Sequence, residues 1–150
     1  MEIAIKEANK GQTCGDGGPF GAVIIKDGKI IAKGHTKVLK TNDPTNHAEI
    51  VAIRKATKKL GRFDLSDCEI YSSCEPCPMC FAAIHWAKMK KLYFGCNRND
   101  AKKIGFDDKF IYDVINGKKV KEQVTVKNIL RKEALESFKI WQEKTNKTIY

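Results

Sequence analysis

The sequence predicts a single α/β domain, a mixed sheet with helices on both faces. Two observations carry this. Residues 22–25 and 29–32 are short apolar runs flanking Asp27-Gly28, the signature of a tight β-hairpin. After that hairpin, helix-like and strand-like segments alternate to the end of the chain. At 150 residues the chain is one domain, long enough to bury a core.

Each element has its own signal. Residues up to about Asn9 read as a short helix with Ile3, Ala4 and Ala8 inward, followed by the turn Gly15-Asp16-Gly17-Gly18-Pro19. A second helix runs from about His47 to Leu60. Thr45 or Asn46 can cap it, Ile50, Ile53 and Leu60 mark its buried side, and Arg54, Lys55, Lys58 and Lys59 its wet side. Residues 68–73 form a strand leading into a helix that starts at Cys77 and runs to about Met89. Pro76 and Pro78 suit a first helical turn and would break an interior. A strand at 91–96, a short helix at 109–115 and a strand at 122–126 follow. Asn128 can cap a last helix with Leu130, Ala134, Phe138 and Trp141 on one stripe, and residues 144–150 are a polar tail. Strand ends and helix N-termini meet at one sheet edge, where ligands of such folds bind.

The chemistry sits at two of those helix starts. His47-Ala48-Glu49 and Pro76-Cys77-Pro78-Met79-Cys80 supply one imidazole, two thiols and one carboxylate. Three protein ligands leave one position of a zinc ion open for water, whereas structural sites close it with four. His47, Cys77 and Cys80 are the three. Two thiolates cancel the charge of the ion, so its water needs a base beside it, and Glu49 is placed to carry the proton. Residues two apart on a helix point in nearly opposite directions, so His47 and Glu49 can share a metal only at the helix tip. A lone C-x-x-C reads as readily as a redox motif or half of a structural site. Nothing in the spacing of His35 or His85 recommends either as a fourth ligand, and Cys14, Cys68, Cys74 and Cys96 read as plain thiols, mostly buried.

Composition narrows the classes. No run of eighteen apolar residues and no signal peptide is present, and six cysteines beside a metal motif are not a disulfide framework, which points to a reducing cytosol. The formal charge of +10 is spread over almost every segment, with no dense basic block interleaved with aromatics, and reads as a solvated surface ahead of a nucleic-acid face.

The pattern H-x-E…P-C-x-x-C is that of zinc nucleobase deaminases. The chain resembles the cytidine and deoxycytidylate deaminase superfamily, and more closely the small bacterial guanine deaminases. The resemblance rests on Gly18-Pro19-Phe20-Gly21-Ala22-Val23, Asn42-Asp43-Pro44-Thr45, His47-Ala48-Glu49 and Ser73-Cys74-Glu75-Pro76-Cys77-Pro78-Met79-Cys80. The stretch Gly105-Phe106-Asp107-Asp108-Lys109-Phe110-Ile111-Tyr112, with Phe138, Trp141 and Tyr150, is more specific. It implies a five-stranded αβα sandwich, one zinc ion per chain, hydrolysis of guanine to xanthine and ammonia, and a dimer exchanging the segment from about 128 to 150. Asp108 is then expected to assist proton transfer. Phe20, Thr36, Ala48, Trp86 and Tyr150 are expected to contact the base, Tyr150 from the partner chain, although Phe20 and Trp86 read equally well as core, and Asp108 also reads as an exposed helix cap. One departure stands out: Thr36 occupies the place of an asparagine that binds the base in the family. Rival readings are a tRNA adenosine deaminase, a deaminase of another small heterocycle such as cytosine, a pterin or an aminotriazine, and a non-catalytic zinc-stabilised RNA-binding module, against which Glu49 argues.

Overall fold

The computed structural model describes residues 1–118 and 124–149. The chain runs α1 (Glu2–Thr13), β1 (Gly21–Lys26), β2 (Lys29–His35), a one-turn α2 (Val38–Thr41), α3 (Ala48–Leu60), β3 (Glu69–Cys74), α4 (Pro78–Trp86), β4 (Lys91–Cys96), α5 (Arg98–Lys103), α6 (Lys109–Ile115) and α7 (Arg131–Glu143). The strands form one sheet in the order β2-β1-β3-β4. β1 is antiparallel to β2 and to β3, while β3 and β4 run parallel across the α4 crossover, so the sheet is mixed as expected. The hairpin turns at Asp27-Gly28, whose φ values of 49° and 72° are those of a type I′ turn.

Alternation along β1 sorts the two faces. Ala22 and Ile24 join Ala52 and Ala56 of α3, Ile84 of α4 and the buried Leu65, Ile70 and Met89 in one cluster. On the opposite face lies α1, with Ala4 and Ala8 buried. A Cβ at Gly21 would meet the Ala4 carbonyl oxygen at 2.1 Å, so helix and strand approach this closely only over a glycine. α3 buries small residues, Ala48, Val51, Ala52 and Ala56, which bring it close to the sheet. The expected inward residues Ile50, Ile53 and Leu60 are half-buried instead; Ile53 and Leu60 pack on the margins of the cluster.

The structure corrects several boundaries. α1 extends to Thr13, and Ile3 is exposed. The N-cap of α3 is His47 itself, in an extended conformation; upstream, Asp43 accepts hydrogen bonds from the Thr45 N–H and hydroxyl. α4 stops at Trp86. Lys88 turns left-handed at φ 62°, and the Met89 N–H donates to the Ile84 carbonyl, returning Met89 to the core. Helix α5 was not anticipated, although Asn97 and Asp100 form a capping box at its start. The expected strand at 122–126 falls partly outside the described residues, and residues 124–126 form no strand, so the described sheet has four strands rather than five. α7 follows Leu130, at φ 51°, so Asn128 does not cap it, and its stripe is bare: Phe138 is 68% exposed. Tyr150 lies outside the described residues. Among the described residues no helix is long and apolar enough to cross a membrane.

Candidate active site

α3 and α4 each begin on a metal-ligating type of residue. His47 is the N-cap of α3 and Cys77 the N-cap of α4, with Cys80 one turn further in. The extended backbone of a cap aims its side chain past the helix tip. Both tips converge, and one donor atom each from His47, Cys77 and Cys80 lie within 4.8 Å of one another. Cys77 Sγ and His47 Nδ1 are 3.5 Å apart. Cys77 is pulled down to about 4, first by the Cys80 thiol donating to it and then by His47. Cys80 is pushed up, first by Cys77 and then by burial. Two thiols this close cannot both ionise without a cation between them, and the imidazole beside them completes a soft, three-donor set of the kind zinc takes.

Glu49 lies in the first turn of α3 and is 6% exposed. Ser72 Oγ on β3 donates to its Oε1 at 3.0 Å. Burial raises its pKa, so the carboxyl is poised to hold a proton. The tip geometry solves the problem of residues two apart: His47 is non-helical, and the carboxylate two residues on reaches the same space.

A cavity of about 480 Å³ opens over this cluster, of a size for a small heterocycle. Its lining includes Phe20, Thr36, His47, Glu49, Cys77 and Asp108, all expected from the sequence. Phe20 meets Phe106 edge-to-face at 4.9 Å. That contact needs Gly18, where a Cβ would lie 2.8 Å from the Phe106 ring and 3.0 Å from Phe20. Ala48 is instead fully buried at the start of α3 and does not line the cavity, nor does Trp86, 65% exposed on α4. Among the described residues two buried side-chain polar atoms lack a partner, Thr36 Oγ1 and Asp108 Oδ1, and both residues face this cavity. Burial, and then the Cys77 thiolate, raise the Asp108 pKa. An unpaired buried oxygen costs stability unless a ligand supplies the missing hydrogen bond.

Other features went unforeseen. Cys74, Glu75 and Phe106 also line the cavity. His35, set aside as a ligand, sits with Nδ1 3.3 Å from Glu7 Oε2 and Nε2 2.9 Å from Asp16 Oδ2, tying α1 and the glycine-rich turn to the end of β2, one residue before Thr36. No local spacing reveals a trio at 7, 16 and 35. Of the four remaining thiols, Cys68 and Cys74 are buried, with pKa values raised by burial to about 11 and about 12, whereas Cys14 and Cys96 are exposed.

Comparison with known proteins gives a consistent result. Residues 1–96 match the cytidine and deoxycytidylate deaminase zinc-binding region. The guanine deaminase of Bacillus subtilis (strain 168) is 47% identical over 150 residues, covering 100% of this chain and 96% of that one. An X-ray structure of guanine deaminase from Bacillus subtilis superimposes with a TM-score of 0.93 over 99% of this chain and 95% of that one, at 47% identity. A tRNA-specific adenosine deaminase from Agrobacterium fabrum is 42% identical over 95 residues, 63% of this chain and 62% of that one.

Proposed function

The chain belongs to the cytidine and deoxycytidylate deaminase family, and from that premise we propose that it hydrolyses guanine to xanthine and ammonia. It is a zinc-dependent aminohydrolase with one zinc ion per chain, acting on a small-molecule base. Full-length similarity to a guanine deaminase carries this reading, and the cavity supports it: a small, largely apolar chamber lined by both the metal-type cluster and a residue with an unpaired carboxylate oxygen.

Each residue has a part in this reading. His47, Cys77 and Cys80 would hold the zinc, which when bound supplies an acidified water to the carbon of an N=C–NH₂ unit. Glu49 carries the proton, to the ring nitrogen first and then to the leaving amine. Ser72 orients the Glu49 carboxylate through Oε1. Asp108 Oδ1 accepts from a guanine N–H and assists proton transfer, and Phe20 with Phe106 covers the flat face of the ring. Thr36 offers one hydroxyl where an amide would offer donors and an acceptor. Full-length similarity to a guanine deaminase, against a match to a tRNA adenosine deaminase over 63% of the chain, weighs against the tRNA adenosine reading.

The exposed stripe of α7 supports a homodimer in which the segment from about residue 128 onward is exchanged. Exposed aromatics on α4 and β4, among them Phe81, Tyr93 and Phe94, offer a surface for it. Four thiols outside the zinc set and no disulfide among the six cysteines suit a reducing cytosol. The deciding experiment measures ammonia release from guanine, guanosine, cytosine, adenine and a tRNA stem-loop. Guanine is turned over, and Glu49→Gln retains zinc while losing on the order of 10²–10⁴ in kcat. Turnover of the stem-loop alone would overturn the assignment.

A further inference from the structure

Resting on the guanine-deaminase reading, the geometry points to Arg98 and Tyr112 as positioning residues that hold Asp108 at its working distance from the metal-ligand loop. Among the described residues no side-chain hydrogen bond or ion pair fixes Asp108. Its Oδ1 is unpaired, and it makes no side-chain hydrogen bond to the helix it caps. The place of its carboxylate is therefore set by the place of α6. Yet α6 buries no residue, and the Lys109–Asp113 pair is internal to it. Among the described residues one side-chain hydrogen bond ties α6 to a part of the chain distant in sequence: Tyr112 Oη donates to the Pro76 carbonyl at 3.0 Å. Pro76 is fully buried and directly precedes Cys77.

Arg98, the first residue of α5, locks this bond from the side. Its guanidinium carbon lies 4.1 Å from the Tyr112 ring centroid. Its Nη2 donates to Glu75 Oε1, and its backbone N–H donates to Glu75 Oε2 at 3.0 Å. Carboxylate, guanidinium and phenol thus join three parts of the fold: the loop before Cys77, α5 and α6. Only a planar cation can stack on the ring while gripping the carboxylate. The same charge acts on Asp108, lowering its pKa against burial and the Cys77 thiolate. Burial raises the Tyr112 pKa, which keeps the phenol protonated and a donor.

A double-mutant cycle on the zinc-loaded enzyme tests this. Tyr112→Phe lowers kcat for guanine about tenfold, with zinc content unchanged and KM within about twofold. Combined with Asp108→Ala, it costs less than about twofold beyond Asp108→Ala alone, because the group it positions is gone. Without substrate, amides of residues 109–115 exchange faster in Tyr112→Phe than in the parent. Arg98→Ala behaves likewise, and Arg98→Lys recovers only part of the loss. Equal cost in both backgrounds, or parent-like kcat and exchange in Tyr112→Phe, overturns the proposal. A parent enzyme inert toward guanine overturns the substrate reading instead, and the exchange measurement still decides the clamp.

Discussion

Residues 1–96 and residues 97–149 furnish one cavity from two kinds of structure. The first region brings His47, Glu49 and Cys77 to the cavity floor on helix starts packed over the sheet, where Ile24, Leu65 and Ile70 are wholly buried. The second brings Gly105, Phe106, Asp108 and Ile111 to the cavity roof, yet Ala101 is its one buried residue among those described. The reacting groups thus rest on a dry core, as do Phe20 and Thr36, whereas Phe106 and Asp108 rest on a largely exposed attachment. Chemistry common to many bases tolerates no displacement, while part of the recognition of one base is carried where the fold is least committed.

The largest effect belongs to the floor. Cys77→Ser or Cys80→Ser abolishes turnover, empties the zinc site by metal analysis and lowers the melting temperature, since metal binding is coupled to folding. Full zinc occupancy in either variant would remove these thiols from the ligand set. Next comes a matched pair. Ile70→Ala, at a wholly buried position, costs about 2–5 kcal/mol in denaturant unfolding. Phe138→Ala, 68% exposed in the single chain, costs less than about 0.5 kcal/mol if the chain is alone. A Phe138→Ala cost comparable to that of Ile70→Ala would show the second region covered by another subunit.

Thr36→Val separates recognition from stability within the cavity. Removing an unpaired buried hydroxyl leaves the melting temperature unchanged or higher. The same change raises KM for guanine about tenfold, a shift of about 1.4 kcal/mol. An unchanged KM would take the hydroxyl out of base binding. The smallest effect lies under α1. Burial pulls the Glu7 carboxyl up, but hydrogen bonds to His35 and Lys33 outweigh it, and the His35 contact, with Lys40, holds Asp16 low. Both folded-state values are below the ordinary 4.5 and 3.8, so the stability they contribute is complete above those values and lost as the pH falls through the lowered ones. The fall of melting temperature as the pH drops below about 5 should be shallower in Glu7→Gln or Asp16→Asn. An unaltered slope would mean the trio is not linked to acid unfolding.

The sequence made the floor legible and the roof only partly so, for a physical reason. His47, Glu49, Cys77 and Cys80 are declared by spacing on single helices, and the hairpin by Asp27-Gly28. Contacts that bring 7, 16 and 35 together, or 75, 98 and 112, depend on tertiary approach that no local period encodes. Trp86 followed the helix pattern but ended on the outer side of α4, and the α4 terminus was misplaced because a left-handed lysine, not a glycine, ends it. Asp108 and Thr36 were found through resemblance, and what the structure adds is that both hold an oxygen in want of a partner.

Helix α7 presents Phe138 and Trp141 to water along one side. With that side covered only by a second copy of the chain, as proposed, dilution acts as a selective denaturant. Mass action would loosen the exchanged segment at low concentration while the zinc floor stays intact, so melting temperature and specific activity would both rise with protein concentration before levelling off.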